Sequence, residues 1–306
     1  MSLSESFERF GTEAQCEAAF LGARWPGGFV GPDCDAREHS TFVADRRRYW
    51  RCATCRVRTT LCSGTLFHAS KLPLTTWLQA IYLLTQSRNC LSALSLKHHL
   101  GVCYRTAWRV KHKLQEATAE RESTRQLVEP MVADDGYLGG VHAGKPGRGS
   151  ENKALLIAAV ELNDDGCPQH VRFDPLPDLK EASVLAWATK ALDPSVHLVT
   201  DGLATLGGAA ALVAQYGAII VSPRKSSALM PFCWVNTIIS NLKTSISGTY
   251  HHSDFQKYRG SYLAGARYRV NRRFTLHSLV ERLARTCAKT APSPEIWLRL
   301  AEVRAG

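Results

Sequence analysis

The sequence predicts an α/β protein whose mixed sheet, flanked by helices, follows a small cysteine-containing module and a helical region. Residues 1–70 are rich in cysteine, glycine and arginine, residues 71–122 show the apolar spacing of helices, and residues 130–306 alternate strand-like and helix-like segments. The stretch at 120–129 is charged and lacks a sustained apolar period, so we place the main linker there. We therefore expect three domains, with boundaries 1–70, 71–122 and 130–306.

The charge balance favours a polyanionic partner. Lysine and arginine number 38 against 27 aspartates and glutamates, which gives a formal net charge of +11 and a pI of about 9.3. Nucleic acid is the first expectation, although a ribosomal or membrane-surface protein can carry the same excess. No stretch approaches the roughly 18 apolar residues of a membrane span, and the first 15 residues resemble neither a secretory signal nor a transit peptide. Ten cysteines without an export signal indicate a reducing cytoplasm.

The first part of the chain contains a cysteine layout typical of a zinc ribbon. Cys52 and Cys55 form one CxxC pair, and Cys34 ends a second such segment, in which Gly31 occupies the place of the first cysteine. A ribbon holds one tetrahedral ion between two such pairs, and its strands need no large core. Three thiolates leave zinc one ligand short, so either another side chain completes the set or packing alone holds the ribbon. The candidates for the fourth ligand are Asp33, His39 and Cys62.

A helix-turn-helix pattern follows within residues 71–122. An apolar helix near 93–100 leads into a turn at Gly101, and the second helix has apolar side chains at core spacing. Basic residues occupy the positions that this apolar stripe leaves over. They suit a recognition helix that contacts phosphates and base edges in a major groove, although a solvated helix face has the same pattern. These candidate DNA-binding residues are Arg105, Arg109, Lys111, His112 and Lys113.

The third part has the element order of a ribonuclease H-like domain. Three locally connected strand-like segments come first, and strands and helices alternate after them. In that fold the first acidic residue lies on the first strand, the second at the end of the fourth strand, and the third ligand on a later helix. Asp134, Asp201 and Asn236 occupy these places, and Lys243 follows on the same predicted helix as Asn236.

These residue types suit phosphodiester chemistry assisted by divalent ions. Two ions about 3.5–4 Å apart activate an attacking oxygen and stabilise a leaving one, and hard oxygen ligands hold them. An asparagine carbonyl oxygen also ligates Mg²⁺, although it adds no negative charge. Seven residues make almost two helical turns, so Lys243 lies on nearly the same helix face as Asn236, roughly 10 Å further along. A cation at that place is suited to holding a DNA phosphate.

Each of these residues also has a structural alternative. Asp201 precedes a glycine and could form a turn, Asn236 could cap a helix, and Lys243 could be a solvated lysine. Asp134 and Asp135 are adjacent on one strand and must point to opposite faces of the sheet. Periodicity alone does not choose between them.

Over nearly its whole length, the sequence resembles the insertion-sequence transposases of the ISXO-like group. The resemblance rests on VADDGYLGG, GKPGRGSENK, VTDGLA, WVNTIISNLKTSISGTYHH and YRVNRRF, and in the first 122 residues on ARWPGGFVGPDC, RRYWRCATC and LGVCYRTAWRVKHKL. Members of this group carry an N-terminal zinc ribbon and a catalytic set of Asp, Asp, Asn or Glu, and Lys. The clearest departure is Gly31, where the group has the first zinc cysteine.

The resemblance implies a role for each matching residue. The catalytic set is Asp134, Asp201, Asn236 and Lys243, of which the first three ligate Mg²⁺, and Asp135 lies outside the metal site. The implied zinc ligands are Cys34, Cys52 and Cys55, and the presence of zinc depends on which ligand replaces the missing cysteine. Weaker candidates for contacts with the DNA backbone are Arg148 and Lys153 in the GRGSENK segment.

These features together predict a DNA transposase. It would bind the terminal inverted repeats of its element, cut the strands with Mg²⁺ or Mn²⁺, and join the 3'-hydroxyl ends to target DNA. The other hypothesis is a DNA-binding regulator derived from a transposase, whose catalytic domain is inactive. We expect a homodimer or higher oligomer, because two DNA ends must be paired, and a bacterial, cytoplasmic, nucleoid-associated protein without a membrane partner.

Overall fold

A computed structural model describes residues 1–45, 47–87, 89–138, 154–220, 232–250 and 255–301 of the chain. Its α-helices are α1 (Leu3–Phe10), α2 (Glu13–Arg24), α3 (Leu74–Gln86), α4 (Ala93–Leu100), α5 (Tyr104–Ser123), α6 (Glu181–Ala191), α7 (Phe232–Ser247), α8 (Phe255–Val270), α9 (Leu279–Lys289) and α10 (Glu295–Leu300). Its strands are β1 (His39–Ala44), β2 (Arg47–Cys52), β3 (Arg58–Thr60), β4 (Met131–Leu138), β5 (Ala154–Leu162), β6 (Pro168–Pro175), β7 (His197–Thr200) and β8 (Gln215–Ala218).

The chain divides into two compact units. Unit 1 comprises Met1–Ser87, Leu91–Ala117 and Phe274–Glu302, and unit 2 is made chiefly of Thr118–Arg273. Among the described residues, no helix combines the length and the apolar character needed to cross a membrane.

Unit 1 contains the cysteine-rich module, the first helix of the predicted helix-turn-helix and the second helix as far as Ala117. Strands β1, β2 and β3 form an antiparallel sheet in that order. Helix α4 starts after Ser92, whose hydroxyl accepts a hydrogen bond from the backbone N–H of Ser95. It ends at Gly101, which has φ +64°, a left-handed conformation that glycine adopts without strain. The turn therefore falls where the sequence predicted it.

The C-terminal segment Phe274–Glu302 joins unit 1, whereas the sequence prediction placed it in the domain 130–306. The reason is the amphipathic helix α9, whose apolar face packs against α2 and α3. The backbone N–H of Leu66 also donates to the carbonyl oxygen of Cys287 at 3.1 Å, which ties α9 to the segment that follows the ribbon. The residue composition and apolar spacing of the sequence did not indicate that this C-terminal segment packs with the N-terminal part of the chain.

Unit 2 is built on a five-stranded mixed sheet with the order β6-β5-β4-β7-β8. The first three strands along the chain are antiparallel neighbours, and β7 and β8 add in parallel beside β4. This order, with helices on both faces of the sheet, is the ribonuclease H-like arrangement, so the predicted fold class is confirmed. Residues of α7 and α8 form one core with the sheet, and residues of α6 form the other.

The two cores alternate along β4, as side chains on a strand must. Val132 and Leu138 lie in the core beneath α7 and α8, whereas Met131 and Ala133 lie in the core beneath α6. Each face is therefore assigned by its packing, and the orientation of every other residue on β4 follows from its position.

Candidate active site and cysteine cluster

Asp134 lies on β4, and Asp201 follows directly after the neighbouring strand β7. Strands β4 and β7 run parallel, with Ala133 opposite Thr200, and the two aspartates are the next residues along each chain. Neighbouring strands lie about 4.8 Å apart, and residues in register on parallel strands project to the same face. The backbone therefore brings Asp134, in the middle of β4, next to Asp201, the first residue after the carboxyl end of β7.

The strand pairing determines which of the two adjacent acids shares the face of α7. Asp134 pairs with Ala158, which belongs to the core beneath α7, and Asp135 pairs with Ile157, which belongs to the core beneath α6. Asp134 is therefore the acid on the side of α7. At Gly136, the next residue on this face, a Cβ atom would come within 3.5 Å of Ile239, so α7 packs closely against the strand there.

Local hydrogen bonds restrain both carboxylates. Asp134 Oδ1 accepts from the backbone N–H of Asp135 at 2.8 Å. Asp201 Oδ1 accepts from the backbone N–H of Leu203 at 3.1 Å, and Gly202 between them has φ +82°. Asp201 therefore does form a turn, as its structural alternative required. That turn also fixes its side chain at the end of β7, so the two interpretations are compatible.

Asn236 lies inside α7, four residues after Phe232, so it is not a helix cap. The buried stripe of α7 that faces the sheet consists of Phe232, Val235, Ile239, Leu242 and Ile246. Asn236 is half-buried beside this stripe, and its Nδ2 donates to the carbonyl oxygen of Phe232 at 3.0 Å. This bond orients the amide group and occupies its donor nitrogen.

Lys243 is exposed on α7, seven residues after Asn236. At 100° per residue the two side chains differ by only roughly 20° around the helix axis, and they lie about 10 Å apart along it. Both flank the same side of the buried stripe. The structure thus pairs Asp134 with Asp201 and places Asn236 and Lys243 on the helix that covers the face of Asp134. Arg148 and Lys153 lie outside the described residues.

The basic residues predicted on the second helix separate into two groups. Arg105 and Arg109, on α5, are exposed and lie near the same carboxylate. Arg105 bonds Glu295 of α10 at 3.0 Å, and Arg109 approaches the same carboxylate at 3.5 Å. These two arginines are the candidates that remain on the surface of α5.

The prediction that Lys111, His112 and Lys113 lie on an open basic face was wrong. Lys111 is only 2% exposed. His112 stacks on Trp108, and burial lowers its pKa to about 3. Lys113 Nζ donates to a backbone carbonyl oxygen, that of Leu66, at 3.0 Å, and burial lowers the pKa of this lysine as well. More of the circumference of α5 is covered than its apolar stripe indicated, so none of the three suits a phosphate contact.

Three cysteine thiols of the ribbon converge. The sulfur atoms of Cys34, Cys52 and Cys55 all lie within 4.8 Å of one another, and Cys34 Sγ is 3.4 Å from Cys52 Sγ. Among the described residues, this is the one group of three or more histidines, cysteines or acids so arranged. Hydrogen bonds from the backbone of Cys55 and from the side chain of Cys34 outweigh burial and lower the pKa of Cys52 to about 7. Three converging thiols are a ligand set that fits zinc.

None of the three predicted fourth ligands joins the cluster. Asp33, His39 and Cys62 are described residues, yet the set within 4.8 Å contains only the three cysteines. The ring Nδ1 of His39 instead bonds the carbonyl oxygen of Arg37 at 2.9 Å. Burial raises the pKa of Cys62 to about 11, which disfavours the thiolate that zinc requires.

One face of the ribbon sheet carries basic and aromatic side chains, as the basic and aromatic strand-like stretch FVADRRRYW predicts. Trp50 and Cys52 of β2 are buried, so Arg47, Tyr49 and Arg51 of the same strand point to the opposite face. Phe42 lies opposite Tyr49 in the register, and the two rings stack with centroids 5.3 Å apart. The period-2 alternation in RRYWRC was the available signal.

Two family models match the chain. One is the ISXO2-like transposase domain, over residues 126–271, and the other is the transposase zinc-ribbon domain, over residues 11–58. Together they match more than half of the chain, and the first spans all four residues of the candidate active site. The chain belongs to the ISXO2-like transposase family. The family resemblance stated from the sequence is thereby confirmed, and so is the transposase class of the protein.

Solved structures with detectable similarity to this family member include two complexes of the Mos1 transposase. The Mos1 mariner paired-end complex with Mn is 13% identical in sequence, the alignment covers 69% of this chain and 77% of the Mos1 chain, and the TM-score is 0.21. The Mos1 paired-end complex with the left transposon end is 12% identical, covers 68% and 77%, and also has a TM-score of 0.21. TM-scores this low support no conclusion about the function of this chain. No match was found among the curated proteins compared with it.

Proposed function

We propose that this transposase binds the terminal inverted repeats of an insertion sequence, cleaves the DNA strands at its ends, and joins the freed 3'-hydroxyl groups to target DNA. The observation that supports the proposal is the register of β4 and β7, in which Ala133 lies opposite Thr200, one residue before Asp134 and Asp201. A carboxylate on β4, a carboxylate directly after β7 and an amide oxygen on the helix that covers this face offer hard-oxygen donors of the kind that divalent ions prefer.

The acidic residues and the asparagine hold the metal ions in this proposal. Asp134 and Asp201 supply the negative charge, and Asn236 offers its amide oxygen, because its amide nitrogen already donates to Phe232. Two Mg²⁺ or Mn²⁺ ions would activate the attacking oxygen and stabilise the leaving oxygen. The chain's own contribution is position, since both aspartates are restrained by backbone N–H groups.

Each reaction exchanges one phosphodiester P–O bond for another bond to phosphorus. In cleavage, water oxygen bonds to phosphorus as the bond to the 3' oxygen breaks, and the 3' oxygen leaves as a hydroxyl. In strand transfer, that 3'-hydroxyl attacks a target phosphodiester and displaces a target 3' oxygen, so no nucleotide cofactor is consumed. Lys243, exposed on the same side of α7 as Asn236, would hold a phosphate of the DNA near the reacting bond.

DNA is the proposed partner, and two surfaces of the chain would contact it. Arg105 and Arg109 remain as backbone or base contacts of α5, and Arg148 and Lys153 are proposed from the family resemblance alone. Because a transposase pairs two DNA ends, we propose at least a dimer as the working form. Its place of action would be the bacterial nucleoid.

A strand-transfer assay with pre-cut terminal repeats and Mg²⁺ or Mn²⁺ tests the proposal. Asp134→Asn should abolish transfer, whereas Asp135→Asn should retain most of it, because the two variants remove the same charge from opposite faces of one strand. DNA binding by both variants should equal that of the parent, which shows that they fold. Activity in Asp134→Asn would reject the site. Binding without transfer in every protein would instead indicate a DNA-binding regulator with an inactive catalytic domain.

A further inference from the structure

We propose that the ribbon binds zinc through Cys34, Cys52 and Cys55 with an open fourth coordination position at Gly31, which a small ligand from solution fills. Such a ligand is a water molecule, a thiol or an imidazole. The inference does not depend on the proposed strand-transfer chemistry, because it concerns the ribbon alone.

The two halves of the cluster have the same backbone geometry. In the intact half, the backbone N–H of Cys52 donates to the carbonyl oxygen of Val57, five residues later, at 3.1 Å. In the other half, the N–H of Gly31 donates to the carbonyl oxygen of Ala36, also five residues later, at 2.8 Å. Gly31 therefore occupies the structural place that Cys52 occupies in the second half.

The residue after the last cysteine of each half confirms the equivalence. Asp35 follows Cys34 and has φ +56°, and Arg56 follows Cys55 and has φ +62°. A positive φ at a residue other than glycine is uncommon, so its repetition at matching positions is specific. The first half has kept the fold of a metal-binding knuckle and lacks only one ligand side chain.

A side chain at position 31 would point into the cluster. A Cβ atom built on Gly31 would lie 3.0 Å from Cys52 Sγ and 3.1 Å from Cys34 Sγ. The place of the missing ligand is thus next to two of the three sulfurs, and the predicted substitutes Asp33, His39 and Cys62 do not reach it. Structural zinc is almost always four-coordinate, so the fourth ligand must come from outside the described side chains.

This coordination changes the chemistry of the ribbon. A zinc ion with four thiolates has a net charge of −2, whereas three thiolates and a neutral ligand leave −1. A three-ligand zinc with an exchangeable position is the arrangement of open rather than closed sites. The ribbon should therefore exchange its fourth ligand, and it should lose its metal to a chelator faster than a four-cysteine ribbon.

Cobalt(II) substitution of the full-length chain tests this inference without any activity assay. The unchanged chain should bind about one Co²⁺ in the ribbon, and its visible d–d and thiolate bands should shift when imidazole or a small thiol is added. Gly31→Cys should bind Co²⁺ and Zn²⁺ at least about tenfold more tightly, and its bands should not respond to added ligand. Gly27→Cys is the matched control, because a Cβ there meets only Arg37, at 3.9 Å. It should behave like the unchanged chain.

Three results would overturn the proposal. They are an unchanged chain that binds no metal with its cysteines reduced, a cobalt spectrum that ignores added ligands, and a Gly31→Cys variant whose affinity equals that of Gly27→Cys. The first result would show a ribbon held by packing alone. The second would show that the fourth position is already closed, and the third would show that position 31 does not face the metal.

A different observation supports a second proposal, which rests on DNA being the partner. We propose that the outward face of the ribbon sheet contacts the DNA backbone. The positions on the face opposite the buried Trp50, Cys52 and Thr59 carry no acidic residue and three arginines, of which Arg47 and Arg58 are exposed and Arg51 is half-buried, with its Nε out of reach of solvent. These positions are Ser40, Phe42, Ala44, Arg47, Tyr49, Arg51, Arg58 and Thr60.

The arginines on this face differ from those of α5 in their ion pairing with described residues. Within the described part of the chain, Arg47, Arg51 and Arg58 form no ion pair, in contrast to Arg105 and Arg109, which share Glu295. The Arg58 guanidinium lies 5.6 Å from the Phe42 ring centroid, over an aromatic pair that gives the face a rigid surface. Unpaired guanidinium groups on such a sheet complement a row of phosphates.

Salt-dependent binding to a DNA duplex with the terminal repeat tests this face. Arg47→Gln, Arg51→Gln and Arg58→Gln, made singly, should each weaken binding about threefold to tenfold and reduce the salt slope by about 1. Arg48→Gln is the control, since Arg48 is exposed on the same strand but points to the opposite face. If the parent binds and all four variants behave alike, the ribbon face is excluded while the proposed function stands. If the parent does not bind DNA, both fail.

Discussion

Asp134 and Asp201 each follow directly after one member of the registered pair Ala133 and Thr200 on the parallel strands β4 and β7, so the backbone brings the two residues to neighbouring positions. This proximity does not depend on side-chain packing or on the binding of a metal. The two aspartates differ in their structural roles, because the side chain of Asp201 also accepts the hydrogen bond that closes a turn.

That difference makes Asp201→Asn an informative substitution. An asparagine oxygen can still accept the hydrogen bond from the Leu203 N–H, so the turn and the thermal midpoint should change little. The loss of one negative charge from the donor set should lower strand transfer at least about 10³-fold. Transfer and melting would be measured on the same preparation. Asp201→Ala is the comparison, because it should lose both activity and stability. Appreciable activity in Asp201→Asn would remove this residue from the proposed site.

We expect substitutions of Asn236 to change the Mg²⁺ concentration that strand transfer requires. Asn236→Asp adds a carboxylate to the donor set, so transfer should reach half its maximum at a severalfold lower Mg²⁺ concentration. The same change removes the Nδ2 donor to Phe232, which should cost about 1 kcal/mol of stability. Asn236→Leu, similar in size but without oxygen, should lose most of the activity.

A metal titration of strand transfer measures the Asn236 variants. An unchanged Mg²⁺ requirement in Asn236→Asp, together with activity in Asn236→Leu, would show that this side chain is only structural.

The sequence predicted the strands and the helix of the candidate site well because these elements depend on local order. Strand order is enough to predict Asp134 on the first strand of the sheet and Asp201 at the end of the fourth, without knowledge of tertiary packing. The choice between Asp134 and Asp135 needed more, since both faces of the sheet are covered and the apolar pattern on β4 is nearly continuous. The packing of the strand decides it, because the partners of the two acids on β5 belong to different cores.

The sequence was less informative about α5 because burial there depends on distant segments. Lys111 and Lys113 fall outside the apolar stripe, and a single amphipathic helix would leave them in water. The carbonyl oxygen of Leu66, 47 residues away from Lys113, accepts its ammonium hydrogen bond instead. The return of 274–301 to unit 1 is equally invisible, because nothing in its composition distinguishes it from the preceding helices.

Glu295 should act as a competitor of DNA phosphate. Its carboxylate bonds Arg105 and Arg299 and lies 3.5 Å from Arg109, and these contacts lower its pKa, with the hydrogen bond from Arg105 as the largest cause. DNA binding through Arg105 and Arg109 must therefore break contacts that the free protein makes. Glu295→Gln should raise DNA affinity about twofold to fivefold at low salt, and the gain should shrink as salt screens the charges.

Binding isotherms at several salt concentrations measure the effect of Glu295. Glu281→Gln is a suitable control, because Glu281 is also in unit 1 and pairs with Arg9 rather than with α5. Equal gains in the two variants would indicate a general effect of net charge. An unchanged affinity in Glu295→Gln would argue against contact of α5 arginines with DNA.

Glu161 predicts how stability depends on pH in the unit that carries the active site. It pairs in register with Met131, at the start of β4, and its side chain is fully buried. Burial by itself raises its pKa, but hydrogen bonds from His170 and from the backbone N–H groups of Val128 and Glu129, with the charge of Arg125, outweigh burial. The net result is a pKa of about 2, below the ordinary 4.5.

A carboxyl group whose pKa is depressed in the folded protein stabilises the folded state at pH values above its ordinary pKa. This stabilisation is lost as the pH falls from about 4.5 toward 2. Glu161→Gln should therefore lower the free energy of unfolding by on the order of 2–3 kcal/mol at pH 6, and the deficit should shrink toward pH 3. Glu129→Gln, which removes the same charge from an exposed site nearby, should have little effect at either pH. Urea unfolding of the parent and both variants at pH 3 and pH 6 measures these free energies. If Glu161→Gln lowered the free energy of unfolding equally at both pH values, the ionised carboxylate would not be what stabilises the start of β4.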